Sequence, residues 1–137
     1  MQTTTENNKA IVIRFNKECI EQGLTESFSA LLASDVINHS APAGMPNGVE
    51  SFHFFLNEVL RKGFPDLKVE ILTQVAENDL VTTRKKITAT HTGDIFGIAP
   101  SNKKVEINVI DIIKLKDGRY LEHWGQSNFS DVLKEIS

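Results

Sequence analysis

Residues 67–91 read LKVEILTQVAENDLVTTRKKITATH, and this stretch decides the fold class. Leu67, Val69, Ile71, Thr73 and Val75 alternate with Lys68, Glu70 and Gln74, the period of a half-buried strand. Asn78-Asp79 signals a hairpin. The returning strand, Leu80 to His91, puts Val81, Thr83, Ile87, Ala89 and His91 on one face. Arg84, Lys86, Thr88 and Thr90 share the other.

Downstream, residues 92–102 form an excursion. A third strand, Lys104 to Lys116, carries Val105, Ile107, Val109, Asp111, Ile113 and Leu115 on one face. Asp117-Gly118 is a strong tight-turn signal. A last strand, Arg119 to about Ser127, leads into a helix from Phe129 to Ile136.

Upstream, the period changes to that of helices. Ile11, Phe15 and Cys19, joined by Val12 and Ile20, stripe a helix from about Asn8 to Gln22, and Gly23 ends it. Thr25 can cap a second short helix through Leu32, and a third covers about Val49 to Lys62. Residues 33–48 read as a polar, turn-rich connection, and residues 1–8 as a frayed arm before one domain, 9–137. Helices followed by hairpin-linked strands predict an α+β fold with a mostly antiparallel sheet. Strong curvature of that sheet against the N-terminal helices would leave a cone-shaped pocket.

The 137 residues carry 15 Lys and Arg against 18 Asp and Glu, a net charge of -3. Basic residues are scattered, so no nucleic-acid partner is expected. The one basic run, Arg84-Lys85-Lys86, reads as a solvated strand segment with one face wet, not a binding patch. The lone Cys19 allows no internal disulfide and reads as a buried hydrophobe. No secretory leader and no apolar run of about 18 residues is present, so a cytoplasmic protein without membrane contact is expected.

Polar residues in apolar registers mark the candidate site. Asp111 lies between Val109 and Ile113 in strict alternation. A carboxylate there neutralises an inward Lys or Arg, accepts backbone hydrogen bonds, or lines a pocket as an acid–base group. His91 shares a face with Ile87 and Ala89, and its chemistry suits proton transfer. Asn38 and His39 stand at the mouth of a loop. Trp124, Gln126 and Asn128 share one face of the last strand, with His123 on the opposite face unless a bulge exchanges the two sets. The His residues lack metal-ligand spacing, and no nucleotide-binding glycine pattern occurs, so no metal or cofactor is expected.

Asp35-Val-Ile-Asn-His39, Phe64-Pro-Asp66, Thr90-His-Thr-Gly93, Gly97-Ile-Ala-Pro100, Val109-Ile-Asp-Ile112, and Asp117-Gly-Arg119 with Glu122-His-Trp-Gly125 together resemble the SnoaL-like polyketide cyclase family, over about residues 9–136. The resemblance implies a cone-shaped α+β barrel of the nuclear-transport-factor-2-like kind. It also implies aldol ring closure without cofactor or metal. The family's acid–base aspartate falls four residues after the Trp, where this chain has Asn128. His91 matches an enolate-stabilising histidine, Asp111 an acid that orders the site, and Asn38 and His39 a pocket-lining segment.

The resulting expectation is a cofactor-free cyclase- or isomerase-like enzyme acting on a small apolar or aromatic carbonyl compound. His91, Asp111 and Asn128 would be catalytic, and Asn38, His39, Trp124 and Gln126 would line the pocket. The alternatives are a non-catalytic small-molecule binder and a dimerisation or scaffold domain with a vestigial pocket. Ile110 and Ile112 fall on the outer sheet face, which predicts a homodimer through that face.

Overall fold

The stripe expected on the first helix is buried, with Val12, Phe15, Cys19 and Ile20 in the core, in a computed structural model that describes residues 4–137. Helix α1 spans Thr4–Phe15 and continues in wider π geometry over Asn16–Glu21. It starts earlier than its apolar stripe indicates. Of the expected frayed arm, residues 1–3 lie outside the described residues and 4–8 are helical.

The widening of α1 begins at Asn16. Its side-chain amide donates to the Val12 carbonyl at 2.9 Å. That carbonyl is the acceptor a regular helix would give to Asn16's own backbone N–H. The Arg61 guanidinium caps the far end by donating to the carbonyls of Cys19 and Ile20.

Helix α2, Thr25–Leu31, runs directly into strand β1, Leu32–Asn38. The third helix begins as α3, Val49–His53, continues in π geometry over Phe54–Leu60, and ends as α4, Arg61–Gly63. Strands β2 (Lys68–Glu77), β3 (Leu80–Thr90), β4 (Lys104–Lys116) and β5 (Arg119–Ser127) follow, then α5, Phe129–Ile136. No helix among the described residues is long and apolar enough to cross a membrane.

The expected cone-shaped barrel is corrected. The sheet is open and mixed, in the order β1-β5-β4-β3-β2. Closure would require the two outermost strands to pair. Instead β1 adds to the free edge of β5, in parallel, leaving β1 and β2 as opposite edges. The connection read over residues 33–48 therefore contains a strand. Only Leu32 and Val36 of β1 are well buried, four residues apart. The ladder to β5 breaks register between Leu32 and Ile37, so the period-two signal is erased.

The three hairpin-type ladders are antiparallel. Helices cover one face of the sheet. There Val105, Ile107, Ile113 and Leu115 of β4 meet Val81, Ile87 and Ala89 of β3 and the helical stripes. Phe15 stacks on Tyr120 with centroids 4.2 Å apart, tying α1 to β5. Burial, with Glu18 nearby, pushes the Cys19 thiol up to about 12, so it stays protonated as a core group.

Candidate functional site

A bulge in β5 decides which side chains face inward. Tyr120 pairs with Leu115 and Glu122 with Lys114, so Leu121 is the extra residue. Beyond it the strand's faces exchange. His123 pairs with the core residue Ile113 and points inward, while Trp124 pairs with the exposed Ile112 and points outward.

His123 is the centre of the inward polar cluster. Its Nδ1 lies 2.9 Å from Asn38 Oδ1. That oxygen also accepts the Ser40 N–H at 3.0 Å, and an amide oxygen can only accept. The Nδ1 of His123 therefore carries a proton. Asn38 Nδ2 donates to Ser51 Oγ, and Ser51 donates to the Gly48 carbonyl, which fixes the amide. Nε2 faces Asp111 Oδ2 at 3.8 Å. Gly125 pairs with Asp111 and leaves room for the ring, because a side chain there would crowd His123 Cε1 and Nε2. Phe52 lies edge-on to the imidazole at 5.8 Å. The His123 side chain is 19% exposed, so the ring is sheltered yet reachable.

Asp111 is buried on β4. Lys85 Nζ sits 3.2 Å from its Oδ2, while Oδ1 has no hydrogen-bond partner among the described residues. Burial pushes this carboxyl up, but the Lys85 ammonium and His123 outweigh it, and the group is held below the usual carboxylate range. Lys85 is the middle residue of the basic run read as a wet segment. It lies at even-numbered spacing from Val81, Thr83 and Ile87, so the strand turns it inward with them, where it is buried. Strand parity alone could have singled it out. His123 was hidden by the bulge.

The other candidates are spread over the domain. His91 is fully buried. Its Nδ1 accepts the Ser101 N–H at 3.0 Å, which closes the 92–102 excursion, and its ring meets Phe64 edge-on. Thr83 pairs with Asp111, and His91 lies eight residues further along the chain, just past the end of β3. At about 3.3 Å per residue that is roughly 26 Å, so His91 and Asp111 do not converge on one reacting atom. Asn128 accepts the Asn108 N–H at 2.8 Å and donates to the Glu106 carbonyl at 3.3 Å, extending the β4 ladder into the start of α5. A carboxylate could make the first bond but would set an oxygen against the Glu106 carbonyl.

Asn38 faces inward with His123. His39, Trp124 and Gln126 lie on the other side of the sheet. The His39 ring stacks on Trp124 at 4.7 Å and contacts Glu122 Oε1 at 2.8 Å. Gln126 borders an open depression of about 530 Å³ with Arg84, Ile110 and Asn128. The expected pocket lining is thus divided by the sheet.

Residues 10–136 match the family model described as SnoaL-like polyketide cyclase. A SnoaL-like polyketide cyclase candidate from Jannaschia sp. CCS1 is 25% identical; the match covers 100% of this chain and 96% of that one, with a TM-score of 0.82. A polyketide cyclase candidate from Bacillus cereus is also 25% identical, covering 98% and 85%, with a TM-score of 0.82. AclR of Streptomyces galilaeus, a candidate hydroxylase, shares the fold at 22% identity, covering 97% and 82%, with a TM-score of 0.83. No curated protein matches the chain.

Proposed function

The chain belongs to the SnoaL-like polyketide cyclase family, and from that premise we propose a cofactor-free enzyme of the cyclase or isomerase kind that moves a proton on a small, mostly apolar carbonyl compound. The observation that carries this reading is the His123 ring, with Nδ1 committed to Asn38 and Nε2 set opposite an ionised Asp111. Neutral Nε2 takes a proton from the carbon beside a carbonyl, leaving an enolate. Asp111 stabilises the imidazolium so formed. For an isomerisation the proton returns to another carbon of the enolate system; for a cyclisation the enolate carbon attacks a second carbonyl carbon, the C=O π electrons move to its oxygen, and the resulting alkoxide takes the proton from the imidazolium. In this reading Asn38 fixes the tautomer, and Phe52 offers an apolar flank to the substrate. His91 and Asn128 hold the surrounding framework.

Solvent deuterium exchange into 1,3-diketone and poly-β-ketone probes, followed by NMR, tests the proton step without knowledge of the product. The protein is expected to accelerate exchange over buffer, and His123→Gln to lose about 100-fold or more of that acceleration. Equal exchange by the two proteins would reject His123 as the base. The engagement of Asn128 on both sides by β4 favours a second reading, a binder without turnover. That reading predicts probe binding with no exchange above buffer.

The outer sheet face supports a homodimer. Ile110 is 52% exposed and lies beside the exposed Ile112 and Trp124. Exposed apolar sheet faces of this kind are usually covered. Sedimentation at micromolar concentration is expected to give a dimer, and Ile110→Lys a monomer. A monomeric wild-type protein would overturn this.

A further inference from the structure

Lys85 is a buried cation with two fixed partners. Its ammonium donates to Asn16 Oδ1 at 2.6 Å and faces Asp111 Oδ2 at 3.2 Å. Asn16 is buried as well, and its orientation is set from the helix side. Its NH2 group is spent on the Val12 carbonyl where α1 widens, which leaves the amide oxygen for Lys85. The polar chain therefore runs from α1 through Asn16, Lys85, Asp111 and His123 to Asn38. It crosses β3, β4 and β5 and ends on β1.

We propose that Lys85, oriented by Asn16, is a positioning residue for His123: it fixes the Asp111 carboxylate in the place and charge state in which that carboxylate faces the imidazole. The proposal rests on reading His123 as the proton-handling group. A buried ion pair adds little stability over apolar residues of similar volume, so stability alone is a weak reason for this one. The pair also has a third member. Of these three, His123 is the most exposed, and Asp111 lies between it and Lys85.

Two further titratable groups packed near the cluster, Tyr120 and Cys19, are neutral at ordinary pH. Tyr120 on β5 is buried, and burial together with Asp111 pushes its hydroxyl well above the usual range. Cys19, on the π stretch of α1, is pushed up to about 12. The Lys85–Asp111 ion pair is the charged unit that faces the His123 ring.

The test follows the Asp111 carboxyl carbon and the His123 ring resonances by NMR across a pH series, together with deuterium exchange. In Lys85→Met the Asp111 carboxyl is expected to titrate at higher pH than in the wild-type protein, and the His123 ring resonances to move. The exchange turnover number should fall about tenfold or more, with KM within about twofold. Lys85→Arg is expected to restore all three.

If Lys85→Met does not fold, Asn16→Leu decides. It removes only the orienting amide and should displace Asp111 and His123 in the same direction, by less. Unchanged Asp111 titration and unchanged His123 resonances in a folded Lys85→Met or Asn16→Leu protein would overturn the proposal and leave Lys85 a structural ion pair. Wild-type protein that shows these NMR responses but no exchange would refute the catalytic reading of His123 while leaving the positioning relation intact.

Discussion

Asp111→Asn is expected to destabilise the domain by about 3–5 kcal/mol, because it leaves the Lys85 ammonium buried without its counter-charge. Lys85 and Asp111 are both nearly inaccessible, so water screens the loss poorly. For a domain of this size the melting temperature should fall by roughly 10–20 °C. The double variant Lys85→Met with Asp111→Leu removes both charges and should recover most of the loss, since an apolar pair of similar volume carries no desolvation cost. Thermal and urea denaturation by circular dichroism measure both. Asp111→Asn within about 1 kcal/mol of wild type would show the pair to be energetically idle.

The same pair gives stability a pH dependence of definite sign. Folded Asp111 has its carboxyl below the usual range, so the folded state binds its proton less readily than the unfolded chain does. Its contribution is complete above the ordinary aspartate value of about 3.9, and is lost as pH falls through the folded value. Wild-type protein should lose stability below about pH 4, and Asp111→Asn should show a shallower acid limb.

The inward face of β4 was legible because its apolar residues alternate without interruption, and Asp111 was conspicuous by breaking them. Lys85 obeys the same rule one strand away. Two flanking basic residues disguised it, since three adjacent charges read as one solvated segment while a strand sends alternate members inward. The site's histidine was not legible. One extra residue at Leu121 reverses every later side chain of β5, and nothing in the composition of Leu121-Glu122-His123-Trp124 announces a bulge. Strand β1 was obscured for a related reason. Its two buried side chains are four residues apart, so the stretch has neither a strand's period nor a helix's length. Its addition at the edge of β5 is what turns the expected closed barrel into an open sheet.

Gly93→Ala should have the second large effect, and it would act far from His123. Gly93 crosses the end of α4 backbone to backbone. Its N–H and that of Thr92 both donate to the Gly63 carbonyl, at 3.1 and 3.2 Å. A methyl group on Gly93 would collide with the Lys62 carbonyl oxygen, a backbone atom that cannot swing aside as a side chain could. Gly63 is constrained from the other side, because the Ile95 side chain occupies the space its own Cβ would need. Relief requires the 92–98 segment to lift. That sacrifices both hydrogen bonds, at about 1 kcal/mol each, and adds the 1–3 kcal/mol typical of an overpacked core. It also uncovers Ile95 and the His91 ring, both fully or nearly fully buried. The expected total is about 3 kcal/mol or more, whereas Thr92→Ala, at an exposed neighbour, should stay within about 0.5 kcal/mol. Native-state hydrogen exchange locates the damage: amides of residues 92–102 should lose protection while β4 and β5 keep theirs. Uniform loss across the sheet, or none, would show that the close approach of the two backbones does not hold this loop.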